Sequence, residues 1–229
     1  MKKTIGIVLV LLSMSCFAQR YPSFLSIRSG ISLPAKKFLG GKSTLENGFA
    51  LMGSASVVEA AYFYNKNVGL GALFSFNVNP VDKKRYADQF VKNNERFSNV
   101  SIESEPYLNT TTMFGFYFDL PLKRTYVAFT AKILAGFIWA RNPRINFHFE
   151  YSDVAAMDVY QYAENMSKFT LYHGVGVRLM LNKLLSAKLN FDYTGTRFKF
   201  NYSIDRKSGK TEKQLSYMAL TIGVAYSLY

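Results

Sequence analysis

Two histidines, fifteen carboxylates and a single cysteine are the side chains of this sequence with most chemistry to offer. His148 is followed by Glu150 and Ser152, placing a base, an acid and a hydroxyl at alternate positions. Hydrolytic sites need such groups, a serine beside an imidazole that a third group orients. His173 has only Gly174 and Val175 after it. Cys16 lies close to the N-terminus, so the rest of the chain has no disulfide, thiolate nucleophile or cysteine metal site. The sequence implies no cofactor and no metal. Seven further ionisable residues are widely spaced: Arg28, Glu59, Asp119, Lys132, Arg178, Lys188 and Asp192. Their meaning depends on the elements that carry them.

The first of those elements is an export signal. Lys2 and Lys3 precede the apolar run Ile5 to Leu12, and Cys16-Phe17-Ala18 before Gln19 is a small-residue cleavage pattern. This predicts a signal peptide over 1–18 and a mature domain over 19–229. A competing reading makes Cys16 the acylated first residue, but Ser13 stands where such signals usually carry Leu or Val. No later stretch reaches the roughly 18 consecutive apolar residues of a transmembrane helix, so any membrane span must be built from strands. Aromatic residues make up 16% of the chain, yet its mean hydropathy is near zero. Apolar side chains are therefore dispersed. The formal charge of +13 falls to about +11 once Lys2 and Lys3 leave, which favours anionic surfaces. For an exported protein those surfaces are lipid phosphates, not nucleic acid.

Dispersal follows a period of two. Phe24 to Leu33 sets Leu25, Ile27, Ile31 and Leu33 against Ser26, Arg28, Gly30 and Ser32. Val68 to Asn79 repeats the pattern with Leu73 as its one misfit, and Leu108 to Leu120, Val127 to Trp139 and Phe169 to Leu181 follow. In Leu185 to Gly195, Leu185, Ala187, Leu189, Phe191 and Tyr193 oppose Ser186, Lys188, Asn190, Asp192 and Thr194. Beyond it the aromatic parity flips to Phe198, Phe200 and Tyr202, which predicts a bulge near Gly195. Gly48 to Tyr64 is apolar on both parities, and Glu59 marks its odd positions as inward. Leu215 to Tyr229 closes the count at eight.

Connections alternate long and short. Ala35 to Asn47, Pro80 to Glu105, Arg141 to Ser167 and Ser203 to Lys213 are long; Asn65 to Asn67, Pro121 to Thr125 and Asn182 to Leu184 are short. Bacterial outer-membrane barrels have this asymmetry, with short periplasmic turns. The fold expected is therefore all-β, an eight-stranded antiparallel up-and-down transmembrane β-barrel with both termini periplasmic. Tyr86, Phe90 and Phe97, and again Ala155, Val159 and Tyr162, predict short helices in the two longest loops.

On this frame Arg28, Glu59, Asp119, Lys132, Arg178, Lys188 and Asp192 all point inward. Eight strands enclose only enough space for side chains, so these charges should pair and plug the lumen. A proton or ion path through them is the competing reading. Tyr62, Tyr64, Tyr126, Trp139, Tyr193 and Tyr226 suit membrane-interface girdles, and His173 reads as a girdle residue. The loop cations Lys36, Lys37, Lys42, Lys83, Lys84, Arg85, Arg206, Lys207, Lys210 and Lys213 can be plain solvated charge or can grip lipopolysaccharide phosphates.

The terminal run Thr221-Ile222-Gly223-Val224-Ala225-Tyr226-Ser227-Leu228-Tyr229 resembles the signal read by the barrel-assembly machinery, with Gly223, Tyr226 and Leu228 at its characteristic positions. Ile222 stands where a polar residue is usual, and Tyr229 follows the expected end. The mature chain as a whole resembles small Bacteroidota outer-membrane barrels of the PorT-like type and the eight-stranded OmpA and OmpX type. That resemblance implies a barrel in outer-membrane lipid and lipopolysaccharide, with an envelope protein as partner. The filled interior and long outer loops predict a non-enzymatic role in envelope integrity or loop-mediated binding, and the PorT-like resemblance implies an accessory role in a type IX secretion machine. Lipid-A-modifying barrel enzymes resemble the scaffold too, but His148, Glu150 and Ser152 lack the His-x-Ser order those families use.

Overall fold

The computed structural model describes residues 23–35, 38–39, 48–93, 97–123, 125–151, 157–204 and 207–228. The predicted signal peptide, Cys16 and Ser152 lie outside them. Among the described residues eleven strands and one helix follow in order: β1 (Ser23–Pro34), β2 (Gly53–Phe63), β3 (Val68–Asn79), α1 (Lys83–Asn93), β4 (Phe97–Ser104), β5 (Tyr107–Pro121), β6 (Val127–Asn142), β7 (Ile145–Tyr151), β8 (Met157–Gln161), β9 (Glu164–Met180), β10 (Leu185–Ile204) and β11 (Lys207–Leu228). Eight of the strands form a closed antiparallel barrel in the ring order β1-β11-β10-β9-β6-β5-β3-β2. Each barrel strand pairs with its nearest barrel neighbours in the chain, and β1–β11 is the closing seam. No sheet edge is left in the barrel, which is what a lipid surround requires.

Alternation does the sorting. Ile27, Leu70, Phe116, Ile133, Leu171 and Ile222 are exposed on the outer wall, while Arg28, Ser75, Asn109, Lys132 and Asp192 are buried inside. The wall is apolar outward and largely polar inward, the reverse of a water-soluble barrel. On β6 the apolar outer side runs from Phe129 to Trp139. At about 3.4 Å per residue and a tilt of about 40°, that covers about 26 Å, close to the apolar band of outer-membrane barrels. Two of the short turns at the lower end use one device. Asn65 Oδ1 accepts from the backbone N–H groups of Asn67 and Val68 at 2.9 and 2.8 Å, and Asn182 Oδ1 from those of Leu184 and Leu185 at 2.8 Å each.

The second strand is shorter than Gly48 to Tyr64, because Phe49 and Ala50 leave the wall and bury above the lumen. Its odd residues Ala55, Val57, Glu59, Ala61 and Phe63 face inward. Near Gly195 the structure overturns the predicted bulge. The β10–β11 ladder runs in one unbroken register from Leu185↔Tyr226 to Ile204↔Lys207. Phe198 stays on the inward parity of Asp192 and Thr194 and is buried. What changes there is the interior, which turns from polar to apolar.

The cause is a cap made by the long connections. β4, β7 and β8 form a separate sheet in the order β4-β7-β8, and α1 packs against β4. α1 begins where Asp82 Oδ1 accepts the Arg85 backbone N–H at 3.0 Å, and Tyr86 and Phe90, four apart, share its inner face. Phe97 belongs to β4, not to the helix. The second predicted helix is absent among the described residues: Val159 lies in β8, Tyr162 follows it, and Ala155 lies outside the described set. Val159 alternates with exposed Asp158 and Tyr160, so a period of two overrides the weak helical spacing.

Candidate functional site

The inward residues of β5 and β6 give the lumen its layers. From the short-turn end upward, β6 contributes Thr130, Lys132, Leu134, Ile138 and Ala140, and β5 contributes Asp119, Tyr117, Met113, Thr111, Asn109 and Tyr107. An ionic layer therefore lies low, an apolar layer above it, a hydroxyl and amide layer next, and the aromatic cap at the top.

Glu59 is the hub of the ionic layer. Its Oε2 receives Arg28 Nη2 at 3.0 Å and Lys132 Nζ at 3.0 Å, and its Oε1 receives Lys188 Nζ. Asp192 accepts the other arm of Arg28 at 3.1 Å and lies 3.0 Å from Lys132 Nζ. Arg28 Nη1 also donates to Thr221 Oγ1 at 2.6 Å. Lys188 Nζ sits 3.8 Å from the centre of the Phe24 ring. Lower down, Arg178 pairs with Asp119. The seven inward ionisable residues thus form a ring of Arg28, Glu59, Lys132 and Asp192 with Lys188 attached through Glu59, and a separate pair, four cations against three carboxylates. Phe24 closes the lumen beneath them against Phe63 and Tyr117, with ring centres 6.2 and 6.0 Å away.

Two glycines make the ring possible. A Cβ on Gly174 would fall 1.9 Å from Asp192 Oδ1 and 2.9 Å from Lys132 Cε, and one on Gly223 would fall 2.8 Å from Arg28 Cγ. Both stand beside large charged side chains in a lumen with no spare width. Thr221, Gly174 and Gly223 belong to this site. Their inward parity was readable in the sequence, but parity does not say which neighbours fill the space. Above the ring, Leu73, Met113, Leu134 and Tyr172 form the apolar layer. Next, Ser75 and Thr111 hydroxyls lie 2.6 Å apart, Asn77 donates to Tyr217 OH at 3.0 Å, and Ser32 donates to Asn79 Oδ1 at 3.0 Å.

The cap seals the top. Tyr86 stacks on Phe49 at 4.3 Å between ring centres and meets Phe147 edge-on at 5.5 Å. Phe49 holds a left-handed backbone (φ 47°) and its buried ring helps lock it there. Burial raises the Tyr86 phenol well above its ordinary range. Tyr107 ties the cap to the wall by donating to Gly48 O at 2.8 Å.

The candidate catalytic residues fall on the outside of this cap. His148 and Glu150 share the solvent face of β7, with Nε2 and Oε1 4.0 Å apart. The nearer partner of His148 is Asp158 on β8, whose Oδ1 lies 2.6 Å from Nδ1. That hydrogen bond raises the imidazole above its ordinary pKa, with the charges of Asp158 and Glu150 adding to it. All three side chains are about half exposed on an open sheet, a setting that suits an ion pair more than water-excluding chemistry. His173 is exposed on the outer wall of β9, its ring centre 5.1 Å from that of Tyr193. Among the described residues no group of three or more His, Cys, Asp or Glu is arranged to hold a metal.

No family model matches the chain, and no curated protein is matched by it. Among solved structures it is similar to Ail, the attachment invasion locus protein of Yersinia pestis, at 13% identity and a TM-score of 0.44, over 90% of this chain and 99% of that one. Neisserial surface protein A gives 11% and 0.44 over 89% and 96%. The outer membrane protein OprG from Pseudomonas aeruginosa gives 12% and 0.49 over 92% and 98%.

Proposed function

We propose that the chain is a non-enzymatic outer-membrane barrel that acts in envelope integrity or partner binding through its outer cap. One observation carries this reading: the lumen is filled layer on layer, whereas the long connections build a separate folded surface above it. The apolar outer wall supports a lipid surround, and the long connections mark the cell-surface end. Residues 1–18 serve as the export signal, and Gly223, Tyr226 and Leu228 as the signal for the assembly machinery. The loop cations, Lys83, Lys84 and Arg85 among them, face lipopolysaccharide phosphates.

A finer version makes the chain an accessory subunit of an outer-membrane secretion machine of the type IX, PorT-like kind. Tyr160 and Tyr162, exposed on and just after the edge strand β8, favour a protein partner for the cap.

A photo-crosslinking amino acid at Tyr160, compared with one at Tyr126 on the short-turn end, tests the reading in living cells. Adducts to an envelope protein at Tyr160 alone are expected. Adducts at neither place, together with sustained conductance in planar bilayers, would overturn it. Native pull-down with mass spectrometry separates a lone barrel from a subunit. Identical gel migration before and after boiling would overturn the membrane-barrel reading itself.

A further inference from the structure

On the outer wall, at the lip shared by β3, β5, β6 and β9, lies a depression of about 430 Å³. Its lining is built by register. Phe76 pairs with Thr110, Thr110 with Trp139, and Trp139 with Ser167, so two aromatic rings flank a short hydroxyl side chain. The next outward row, one step above, holds Leu108, Arg141 and Asn165. Below, Phe137 lies 6.1 Å from Trp139 and 5.7 Å from Phe169, continuing the apolar wall. The notch therefore sits at the upper edge of the apolar band, where acyl chains give way to headgroups.

Its chemistry is graded in the same order. Phe137 and Phe169 offer a surface for acyl chains, Trp139 and Phe76 offer ring faces, and Thr110, Ser167 and Asn165 offer hydrogen-bonding groups. Arg141 adds a cation at the top. Glu105 Oε2 takes one arm of it at 3.2 Å, which fixes the guanidinium while leaving most of its five N–H donors for another anion. A zwitterionic phospholipid would use the cation and the wall but has no ring to set against the aromatic faces.

We propose that this notch binds the phosphorylated sugar headgroup of an outer-leaflet glycolipid, with its phosphate on Arg141, its sugar ring between Phe76 and Trp139, and its acyl chains along Phe137 and Phe169. The proposal rests on the outer-membrane reading above and assigns that barrel a defined lipid site, apart from the loop cations.

Trp139 is the only tryptophan in the chain and reports on its own site. The full chain is refolded into phosphatidylcholine nanodiscs and titrated with bisphosphorylated lipid A, and in a second arm with phosphatidylglycerol, while Trp139 emission is followed. Saturable change with lipid A alone is expected. Its midpoint should rise about tenfold in Arg141→Gln, as loss of one charge-assisted contact implies, and stay put in Lys123→Gln at the opposite end. Ser167→Leu, which fills the notch from outside the barrel core, should abolish saturation even if Arg141→Gln does not fold. An unchanged midpoint in Arg141→Gln, or equal titration by phosphatidylglycerol, would overturn the proposal. If the chain still shifts on heating and inserts, only the lipid site falls; if it does not, the membrane-barrel reading falls with it.

Discussion

The lower lumen and the outer cap are filled by opposite means. Below, width is fixed by closure of the wall, and the space is taken by long charged side chains whose neighbours shrink to glycine, as Gly174 does beside Asp192 and Lys132. Above, the connections bring their own aromatics, and Tyr86, Phe49, Phe90 and Phe147 pack as a small hydrophobic core. The ring is satisfied only as a set, because each buried charge depends on the others, whereas the cap loses stability piecemeal. A buried ion network of this kind specifies an arrangement more than it adds net stability.

The largest effect should come from breaking the hub. Glu59→Ala leaves Lys188 and much of Arg28 and Lys132 uncompensated, and should cost about 3–5 kcal/mol in urea unfolding of the barrel in detergent. Replacing Arg28, Glu59, Lys132, Lys188 and Asp192 together by apolar residues of similar volume should recover most of that loss. If it recovers none, the ring adds net stability and the contrast with the cap is misdrawn.

Tyr86→Ala should cost the cap about 3 kcal/mol, since its ring is sandwiched between Phe49 and Phe90. Limited proteolysis should then cut within 83–104 while the barrel keeps its heat-shifted migration. Loss of both would show that cap and barrel unfold as one unit. Gly174→Ala should cost about 1–3 kcal/mol by crowding Asp192 and Lys132, again read by urea unfolding, and should leave cap proteolysis unchanged.

The smallest effect is a pH dependence confined to the cap. The His148 imidazole titrates above its ordinary value because Asp158 holds it charged. Its contribution is complete below the unfolded histidine range, about pH 6.5, and fades as pH rises through the raised folded value. Amide exchange in β7 and β8, corrected for intrinsic rates, should quicken from pH 6 to pH 9, and Asp158→Asn should erase that difference.

Period-two patterning made the wall legible: the inward parity of Arg28, Glu59, Lys132, Lys188 and Asp192 was readable because their strands face lipid on one side and a narrow lumen on the other. What alternation could not convey was depth. Phe198 looked like an outward aromatic after a bulge, but at its height the lumen is roofed by Phe38, Phe147 and Tyr217, so an inward aromatic belongs there. The cap strands were hidden for a related reason. β7 is short and pairs with β4, more than forty residues earlier in the chain, β8 pairs in turn with β7, and nothing local announces the β4–β7 pairing. Local spacing pairs His148 with Glu150, two residues along, whereas its nearer partner, Asp158, comes from the neighbouring strand.

The ionic ring also dictates an order of events. Arg28 comes from the first barrel strand, Thr221 from the last and Asp192 from the one before it, so the set cannot assemble until the first and last strands meet. Until that meeting, carboxylates and ammonium groups that will end up dry must keep their water. Seam closure and lumen dehydration are therefore one step, and a partly zipped barrel is held back from lipid by its own hydrated charges.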